Sequence, residues 1–323
     1  MKHQIEDVLY DHAVEAVVKE FHLDPTRLKR IGEYENVIYE CSLNNDDCII
    51  RITHESHRNE NLLKGELEWI DYLEDHGVPV AAPICLTNSD KIIPVNVGNA
   101  VFFITFFTKA NGSHVKAEDW SNELITLLGQ EIGKLHHHSR QYIPTDSGIR
   151  RPEWNDGLLN PEYDDTSKLG SVIRKRNEVM RQLATMRKTD ASYGLIHFDI
   201  NSGNLKLSNG GITLFDFDDC CYCWFINDIA VLLVESINVF CDTTDKRPFV
   251  SNFLEHFSSG YEQFQHIDEY MMILLPLFAK LRELELYASL IELPVSEYSE
   301  HEKQFMVNRK DLIDNDVPFA ELR

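Results

Sequence analysis

The first hundred residues alternate between apolar residues at helical spacing and short runs typical of strands. Apolar positions recur every three to four residues over 5–20 and again over 60–76. Runs rich in Ile, Val, Tyr and Phe predict a twisted hairpin with a following strand over 28–53, and further strands at 91–95 and 100–108. This part of the chain is therefore predicted to form a small antiparallel sheet with two accompanying helices.

Beyond the turn signal at 111–113 the apolar spacing becomes mainly helical. Long apolar stretches predict helices near 250–264 and 269–290. Short strand-like segments are predicted at 194–197 and 212–215, on either side of a loop and a glycine-rich turn. We therefore predict an α+β fold in which a mainly helical region follows the sheet.

We place the boundary between the two lobes after residue 108, which gives lobes at 1–108 and 109–323. At 323 residues the chain is long enough to bury one large core or two modest ones. With 43% hydrophobic and 26% charged residues, its composition is that of a globular protein.

The formal charge of −22, from 31 basic and 53 acidic residues, argues against nucleic-acid or anionic-lipid partners and favours cationic or metal-bound ligands. The longest apolar runs, 100–107 and 271–279, are shorter than the roughly 20 residues that span a bilayer. We therefore expect a cytoplasmic protein with reduced cysteines and no membrane partner. Cys220, Cys221 and Cys223 lack a second pair at zinc-site spacing, so we interpret them as small apolar residues near a strand end.

The stretch 195–219 carries the most informative polar residues. Asp199 is followed five residues later by Asn204, and Asp216 comes after an apolar strand-like run. This spacing suits phosphoryl transfer, in which one carboxylate accepts a proton while an amide oxygen and another carboxylate hold magnesium. Each residue alone also fits a loop or a strand end, because Asn and Asp are common in turns. The three together favour the chemical interpretation.

At these positions the sequence resembles the aminoglycoside phosphotransferase and choline kinase group of small-molecule kinases. The matching motifs are His197-Phe198-Asp199 with Asn204, then Phe215-Asp216-Phe217-Asp218, then Asp228-Ile229-Ala230. The resemblance extends over about 25–290, and the central motif is its specific part.

The resemblance implies a bilobal protein-kinase-like fold, with a small antiparallel N-terminal sheet and a larger helical C-terminal lobe, and it implies ATP and Mg²⁺ as cofactors. By position, Asp199 is implied as the catalytic base, and Asn204 and Asp216 as the metal ligands. His197 and Asp218 are implied to have supporting roles around these groups.

In the first lobe the resemblance implies a nucleotide site. Arg51 stands where the family usually has the phosphate-binding lysine, and Glu66 stands at the place of its ion-pair partner. Asn36 lies in a loop, with one nearby glycine, that is expected to cover phosphate, and backbone groups of Thr105 and Phe107 are expected to bind adenine. Two alternatives stay open: Arg51 as a solvated strand cation, and the strand of Thr105 as a simple buried strand.

The segment 152–165 contains five acids and no base, so we expect it to face a cationic acceptor. Within it, Trp154 and Asp156 are the candidate acceptor contacts, through cation–π attraction and through charge. The alternative is that this segment is a solvated acidic loop.

The sequence thus predicts a kinase that transfers the γ-phosphate of ATP to a hydroxyl of a small molecule. The acceptor is expected to resemble an aminoglycoside, amino alcohol or amino sugar if the acidic segment contacts it. One alternative is a bacterial Ser/Thr protein kinase of the same fold. Another is a nucleotide-binding regulator with weak turnover, which is suggested by Arg51 and by the sparse glycine loop.

Overall fold

The structure is a computed structural model. It describes residues 2–33, 35–44, 46–86, 90–156, 169–209, 211–320 and 322, with residues 2–8 described by their backbone. The helices are α1 (Lys2–Glu20), α2 (Glu60–Asp75), α3 (Asn122–Ser139), α4 (Gly170–Ala184), α5 (Ile226–Phe240), α6 (Arg247–Tyr261), α7 (Glu269–Ile291), α8 (Glu300–Met306) and α9 (Arg309–Asp314). The strands are β1 (Lys29–Gly32), β2 (Val37–Leu43), β3 (Asp46–His54), β4 (Ile92–Val97), β5 (Ala100–Thr108), β6 (Tyr193–Ile196), β7 (Leu205–Ser208), β8 (Gly211–Leu214) and β9 (Cys221–Trp224).

The chain divides into two compact units. Unit 1 comprises Met1–Asn111, Ile143–Arg151 and Thr213–Asp218. Unit 2 comprises Gly112–Tyr142, Pro152–Ile212 and Asp219–Arg323. These units are discontinuous in sequence, whereas the predicted lobes are continuous, so the division at residue 108 stays a prediction.

The core of unit 1 lies between α1 and a five-stranded antiparallel sheet of order β1-β2-β3-β5-β4. Ala13 and Val17 on one face of α1 join the buried Ile, Val, Cys and Phe side chains of the sheet. The β-branched and aromatic residues of β3 and β5 suit these central strands because they pack well on a pleated surface. The predicted sheet and its strand at 100–108 are confirmed.

Helix α2 brings Glu66 into the interior of unit 1. Asn59 caps the helix by accepting a hydrogen bond from the Leu62 N–H at 3.0 Å. A Cβ at Gly65 would lie 1.9 Å from the Ile149 carbonyl oxygen, so this close approach requires glycine. The buried face of α2 therefore includes Glu66 together with its leucines.

Unit 2 is mainly helical, and its helices pack closely. A Cβ at Gly260 of α6 would lie 1.9 Å from the Thr126 carbonyl oxygen of α3, so the two backbones meet where side chains are absent. Helix α5 is buried along nearly all of its length, which agrees with the apolar run at 229–234 in its middle. None of the helices in the described part of the chain is long and apolar enough to cross a bilayer.

Strands β6 and β9 form a short antiparallel pair in unit 2, with Leu195 opposite Tyr222. Cys221 and Cys223 of β9 are fully buried, as the interpretation of small apolar residues requires. The sequence pattern did not predict β7, β9 or α4. Strand β9 is only four residues long, and α4 is mostly charged and polar, although its few apolar residues (Val172, Ile173, Val179 and Leu183) recur at helical spacing.

Candidate active site

Arg51 and Glu66 form a bidentate ion pair inside unit 1. The two terminal nitrogens of Arg51 donate to the two carboxylate oxygens of Glu66, both at 2.7 Å. Burial alone would lower the pKa of the Arg51 guanidinium, but the Glu66 carboxylate and the nearby Asp218 and Asp216 hold this pKa above its ordinary value. The pair is thus an ionised, fork-to-fork contact of the kind that only arginine can make.

Asp218 gathers two guanidinium groups and a histidine at the same place in unit 1. Its Oδ2 lies 2.6 Å from His57 Nε2 and 3.3 Å from Arg58 Nη2, and its Oδ1 lies 3.9 Å from Arg51 Nη1. Burial alone would raise the pKa of Asp218, yet the His57 hydrogen bond and the Arg51 and Arg58 guanidinium groups hold it well below its ordinary value. Sequence reasoning missed His57 and Arg58, because they meet Asp218 only through tertiary packing.

The backbone around Asp218 is also held in place. Arg151 donates to the Asp218 carbonyl oxygen at 2.5 Å and to the Leu62 carbonyl oxygen at 2.9 Å. Asp216, two residues earlier, has a φ of +63°, a left-handed conformation that is uncommon for a residue other than glycine. Such conformations persist where the surroundings fix them, often at functional sites.

Asn36 lies just before β2 and is tied to β3. Thr53 donates its hydroxyl to Asn36 Oδ1 at 2.6 Å, which fixes the side chain at the end of the β1–β2 turn. The neighbouring Tyr34 lies outside the described residues. The phosphate-covering role of Asn36 stays a prediction.

The position of Thr105 and Phe107 in β5 does not fit the expectation that their backbone groups bind adenine. On one side of β5, Thr108 N–H donates to Ala82 and Ile84 N–H donates to the Phe106 carbonyl oxygen. Because backbone groups alternate in direction along a strand, those of Thr105 and Phe107 face β3 and pair there with Arg51 and Ile49. The sheet ladder already uses the groups that adenine would need.

In unit 2, Asp199 lies in a loop after β6 and is held by two amides. Its Oδ2 accepts hydrogen bonds from Asn201 Nδ2 at 3.1 Å and from Asn204 Nδ2 at 3.0 Å. Asn204 Nδ2 also donates to the Asp199 backbone carbonyl oxygen at 3.0 Å. The predicted spacing of Asp199 and Asn204 thus closes one compact loop.

Arg282 of α7 reaches the other oxygen of the same carboxylate. Its Nη2 lies 2.8 Å from Asp199 Oδ1, and its Nε donates to Glu235 Oε1 of α5 at 2.7 Å. Burial alone would lower the pKa of Arg282, but the carboxylates of Glu235 and Asp199 hold this pKa above its ordinary value. Sequence reasoning did not give Arg282 this contact, because Arg282 lies far from Asp199 along the chain.

The loop that carries Asp199 is anchored by Asp228 at the start of α5. Asp228 accepts hydrogen bonds from the backbone N–H groups of His197 at 3.1 Å and Phe198 at 2.8 Å. Phe198 has a φ of +77°, so these two bonds fix a turn that the chain would otherwise avoid. The Nε2 atom of His136, a fully buried residue of α3, lies 3.1 Å from Asp228 Oδ2 and helps to fix the Asp228 carboxylate.

The acidic segment is only partly within the described residues, because 157–168 lie outside them. Trp154 is 2% exposed, and its ring packs edge-on against Trp224 at 5.4 Å, so it offers an acceptor little surface. Asp156 is exposed, and Glu153 pairs with Lys188 at 2.8 Å. The acceptor contacts of Trp154 and Asp156 stay predictions.

The predicted metal ligands fit a hard cation by their chemistry. Asn204 uses its amide nitrogen for Asp199, which leaves Oδ1 as its remaining donor atom. Asp216 supplies a carboxylate from the segment that follows β8. Oxygen donors of these two types are those that magnesium prefers.

The comparisons with known proteins point to one family. Residues 27–270 match the phosphotransferase enzyme family. The amicoumacin kinase of Bacillus subtilis (strain 168) is 30% identical over 299 residues, which cover 91% of this chain and 89% of that protein.

Solved structures give the same result. The structure of the amicoumacin kinase hAmiN in complex with AMP-PNP, Ca²⁺ and Ami is 29% identical and has a TM-score of 0.89, with 99% of this chain and 98% of that chain covered. A microcompartment-associated aminopropanol kinase, 18% identical with 96% and 99% coverage, has a TM-score of 0.69 and shows the fold alone. The predicted α+β kinase-like fold and the predicted enzyme class, a phosphotransferase, are confirmed. The chain belongs to the phosphotransferase enzyme family.

Proposed function

We propose that this protein is an ATP-dependent kinase that phosphorylates a hydroxyl of a small molecule carrying an amine. The observation that carries the proposal is the Asp199 carboxylate, which is fixed by Asn201, Asn204 and Arg282 while its side chain stays 30% exposed. A carboxylate that is both fixed and accessible suits a general base. The similarity to amicoumacin kinase supports the same chemistry.

In the proposed reaction, Asp199 accepts the proton of the acceptor hydroxyl. The acceptor oxygen forms a bond to the γ-phosphorus of ATP while the bond between that phosphorus and the bridging oxygen breaks, and ADP leaves. Asp228 supports this step by fixing the backbone turn before Asp199. Positioning of this kind is a major part of phosphoryl-transfer catalysis.

As the family resemblance implies, Asn204 and Asp216 are each proposed to offer an oxygen to Mg²⁺, which would neutralise charge on the nucleotide phosphates when bound. In unit 1, the Arg51 guanidinium provides positive charge for phosphate, and Glu66 fixes its orientation through two hydrogen bonds. Asp218, with His57 and Arg58, keeps the surrounding charge balanced inside unit 1.

The charges near Asp199 favour an acceptor with an ammonium group. Glu235 contacts Arg282 directly, and Glu285 interacts electrostatically with both Arg282 and Asp199. Burial raises the pKa of Glu285, and Arg176, 3.6 Å away, opposes this shift. Asp199 and Glu235 share the single guanidinium of Arg282, which leaves a negative surplus that a cationic acceptor would balance.

An ADP-release assay with Mg²⁺ and ATP tests the proposal on amicoumacin, choline, 1-amino-2-propanol, aminoglycosides, homoserine and a generic protein substrate. We expect turnover with an amine-bearing small molecule, and Asp199→Ala should lower it by roughly a hundred- to ten-thousand-fold while ATP still binds. Asp242→Ala, at an exposed acid outside the site, is the matched control and should leave turnover unchanged.

Two results would contradict this function. Full activity in Asp199→Ala would remove the general base. Magnesium-dependent ATP binding without transfer to any acceptor would favour the nucleotide-binding regulator, and transfer to the protein substrate alone would favour the protein kinase.

A further inference from the structure

We propose that Arg282 is a positioning residue for this reaction, which holds the Asp199 carboxylate in the orientation that accepts the proton. The inference rests on the proposed function, in which Asp199 is the base. It adds a residue from the far C-terminal part of the chain, outside the motif that the sequence singled out.

Arg282 is itself fixed through two nitrogens of its guanidinium. Nη2 lies 2.8 Å from Asp199 Oδ1, and Nε donates to Glu235 Oε1 at 2.7 Å. Glu235 belongs to α5 and Arg282 to α7, so two packed helices determine where the guanidinium lies. A planar fork can bridge two carboxylates in this way, whereas a lysine ammonium is a single point of charge.

The contact completes the hold on Asp199. Asn201 and Asn204 both donate to Oδ2, so Oδ1 depends on Arg282. The terminal torsion of an aspartate is broad, and a carboxylate held through one oxygen can still turn about it. With both oxygens held, the carboxylate keeps one plane, and its orientation toward an incoming hydroxyl is defined.

Arg282 also lies between carboxylates that would otherwise repel each other. Asp199, Glu235 and Glu285 interact electrostatically with it, and it is only 20% exposed. Without the guanidinium, Asp199 would turn away from Glu235 to reduce the repulsion. Loss of Arg282 therefore misplaces the base, and a small misplacement of a reacting group costs up to about a hundredfold in rate.

Steady-state kinetics with ATP and amicoumacin test this role in the full-length protein. We expect Arg282→Gln to lower kcat by roughly ten- to a hundredfold while the KM values for ATP and amicoumacin change less than about twofold. Arg282→Lys should recover part of kcat. Glu235→Gln should lower kcat less than Arg282→Gln does. The double variant with both changes should be no slower than Arg282→Gln, because both changes disrupt the same chain of ion pairs.

Arg309→Gln is the matched control. Arg309 of α9 forms an ion pair at 3.2 Å with Glu283, which lies next to Arg282 on α7. It should lose thermal stability and keep kcat. If Arg282→Gln instead raises the KM for amicoumacin with kcat unchanged, Arg282 binds the acceptor and the inference is wrong. A kcat equal to wild type in Arg282→Gln overturns it as well.

Failure of the proposed function gives a different pattern. If Asp199→Ala keeps full turnover, or if wild type phosphorylates none of the acceptors, the function fails. The contact itself is then decided by a double-mutant cycle of Asp199→Asn and Arg282→Gln on the thermal unfolding midpoint. Non-additive shifts support the hold on Asp199, and fully additive shifts overturn it.

Discussion

Two carboxylates, one in each unit, are surrounded by charge in opposite ways. Asp218 in unit 1 has a side chain that is 6% exposed, and two guanidinium groups and the His57 imidazole lie within 4 Å of it. Asp199 in unit 2 is 30% exposed and is held by one guanidinium and two neutral amides. The surroundings of the Asp218 carboxylate stabilise its ionised form, whereas the Asp199 carboxylate remains partly accessible to solvent.

This difference separates a charged group that stabilises the fold from one that is available for chemistry. A buried carboxylate with several cationic partners stabilises the fold only while every partner is present, because each charge has lost its water. A carboxylate with an open side contributes little to stability, since water still solvates it. The same residue type therefore serves stability in unit 1 and, as proposed, proton transfer in unit 2.

The largest expected contrast comes from one chemical change made at both positions. Asp218→Asn leaves Arg51, Arg58 and His57 without their shared anion and should lower the free energy of unfolding by about 3 to 5 kcal/mol. Asp199→Asn should lower it by less than about 1 kcal/mol. Urea denaturation of both variants measures the contrast, and equal losses would show that exposure does not separate the two carboxylates.

Asp228 tests whether unit 2 has its own structural carboxylate. It is fully buried and accepts two backbone hydrogen bonds, so Asp228→Asn should cost about 2 to 3 kcal/mol of unfolding free energy. Turnover should fall too, because the turn at Phe198 loses its anchor. Asp242→Asn, an exposed acid, is the control, and a variant of Asp228 as stable as this control would contradict the assignment.

A smaller loss of stability is expected from Arg51→Lys, which keeps the positive charge but removes the planar guanidinium that makes two parallel hydrogen bonds. Lysine can replace only part of the two 2.7 Å hydrogen bonds to Glu66, so the loss should be about 1 to 2 kcal/mol. Arg27→Lys is the matched control, because the Arg27–Asp47 pair is about half exposed on both sides and should cost less than about 0.5 kcal/mol. Equal losses of unfolding free energy in Arg51→Lys and Arg27→Lys would show that burial does not make the Arg51–Glu66 pair more stabilising than an exposed ion pair.

The sequence predicted what depends on short separations along the chain. The Asp199–Asn204 contact spans five residues of one loop, and the apolar periods of α2 and β5 are local patterns. Glu66 as the partner of Arg51 came from the family resemblance, and the ion pair is present.

Contacts across long separations were beyond the sequence. The packing of helices α5 and α7 brings Arg282 to Asp199, and no local signal encodes it. His57 reaches Asp218 in the same way. The direction of the backbone groups of Thr105 depends on the ladder register, which alternation of side chains alone does not give.

The smallest expected change in stability comes from lowering the pH, which tests directly whether the folded protein keeps Asp218 ionised. The pKa of Asp218 is well below its ordinary value of 3.8 in the folded protein, so its contribution to stability is complete above that value and is lost as pH falls toward the folded pKa. Between pH 4 and pH 3 the wild type should lose about 1 kcal/mol more than Asp218→Asn, because the unfolded wild-type chain takes up a proton there that the folded one does not. Urea denaturation of both proteins at the two pH values isolates this contribution from the other acids. Parallel losses in the two proteins would mean that Asp218 titrates normally and that its cationic partners do not hold it as an anion.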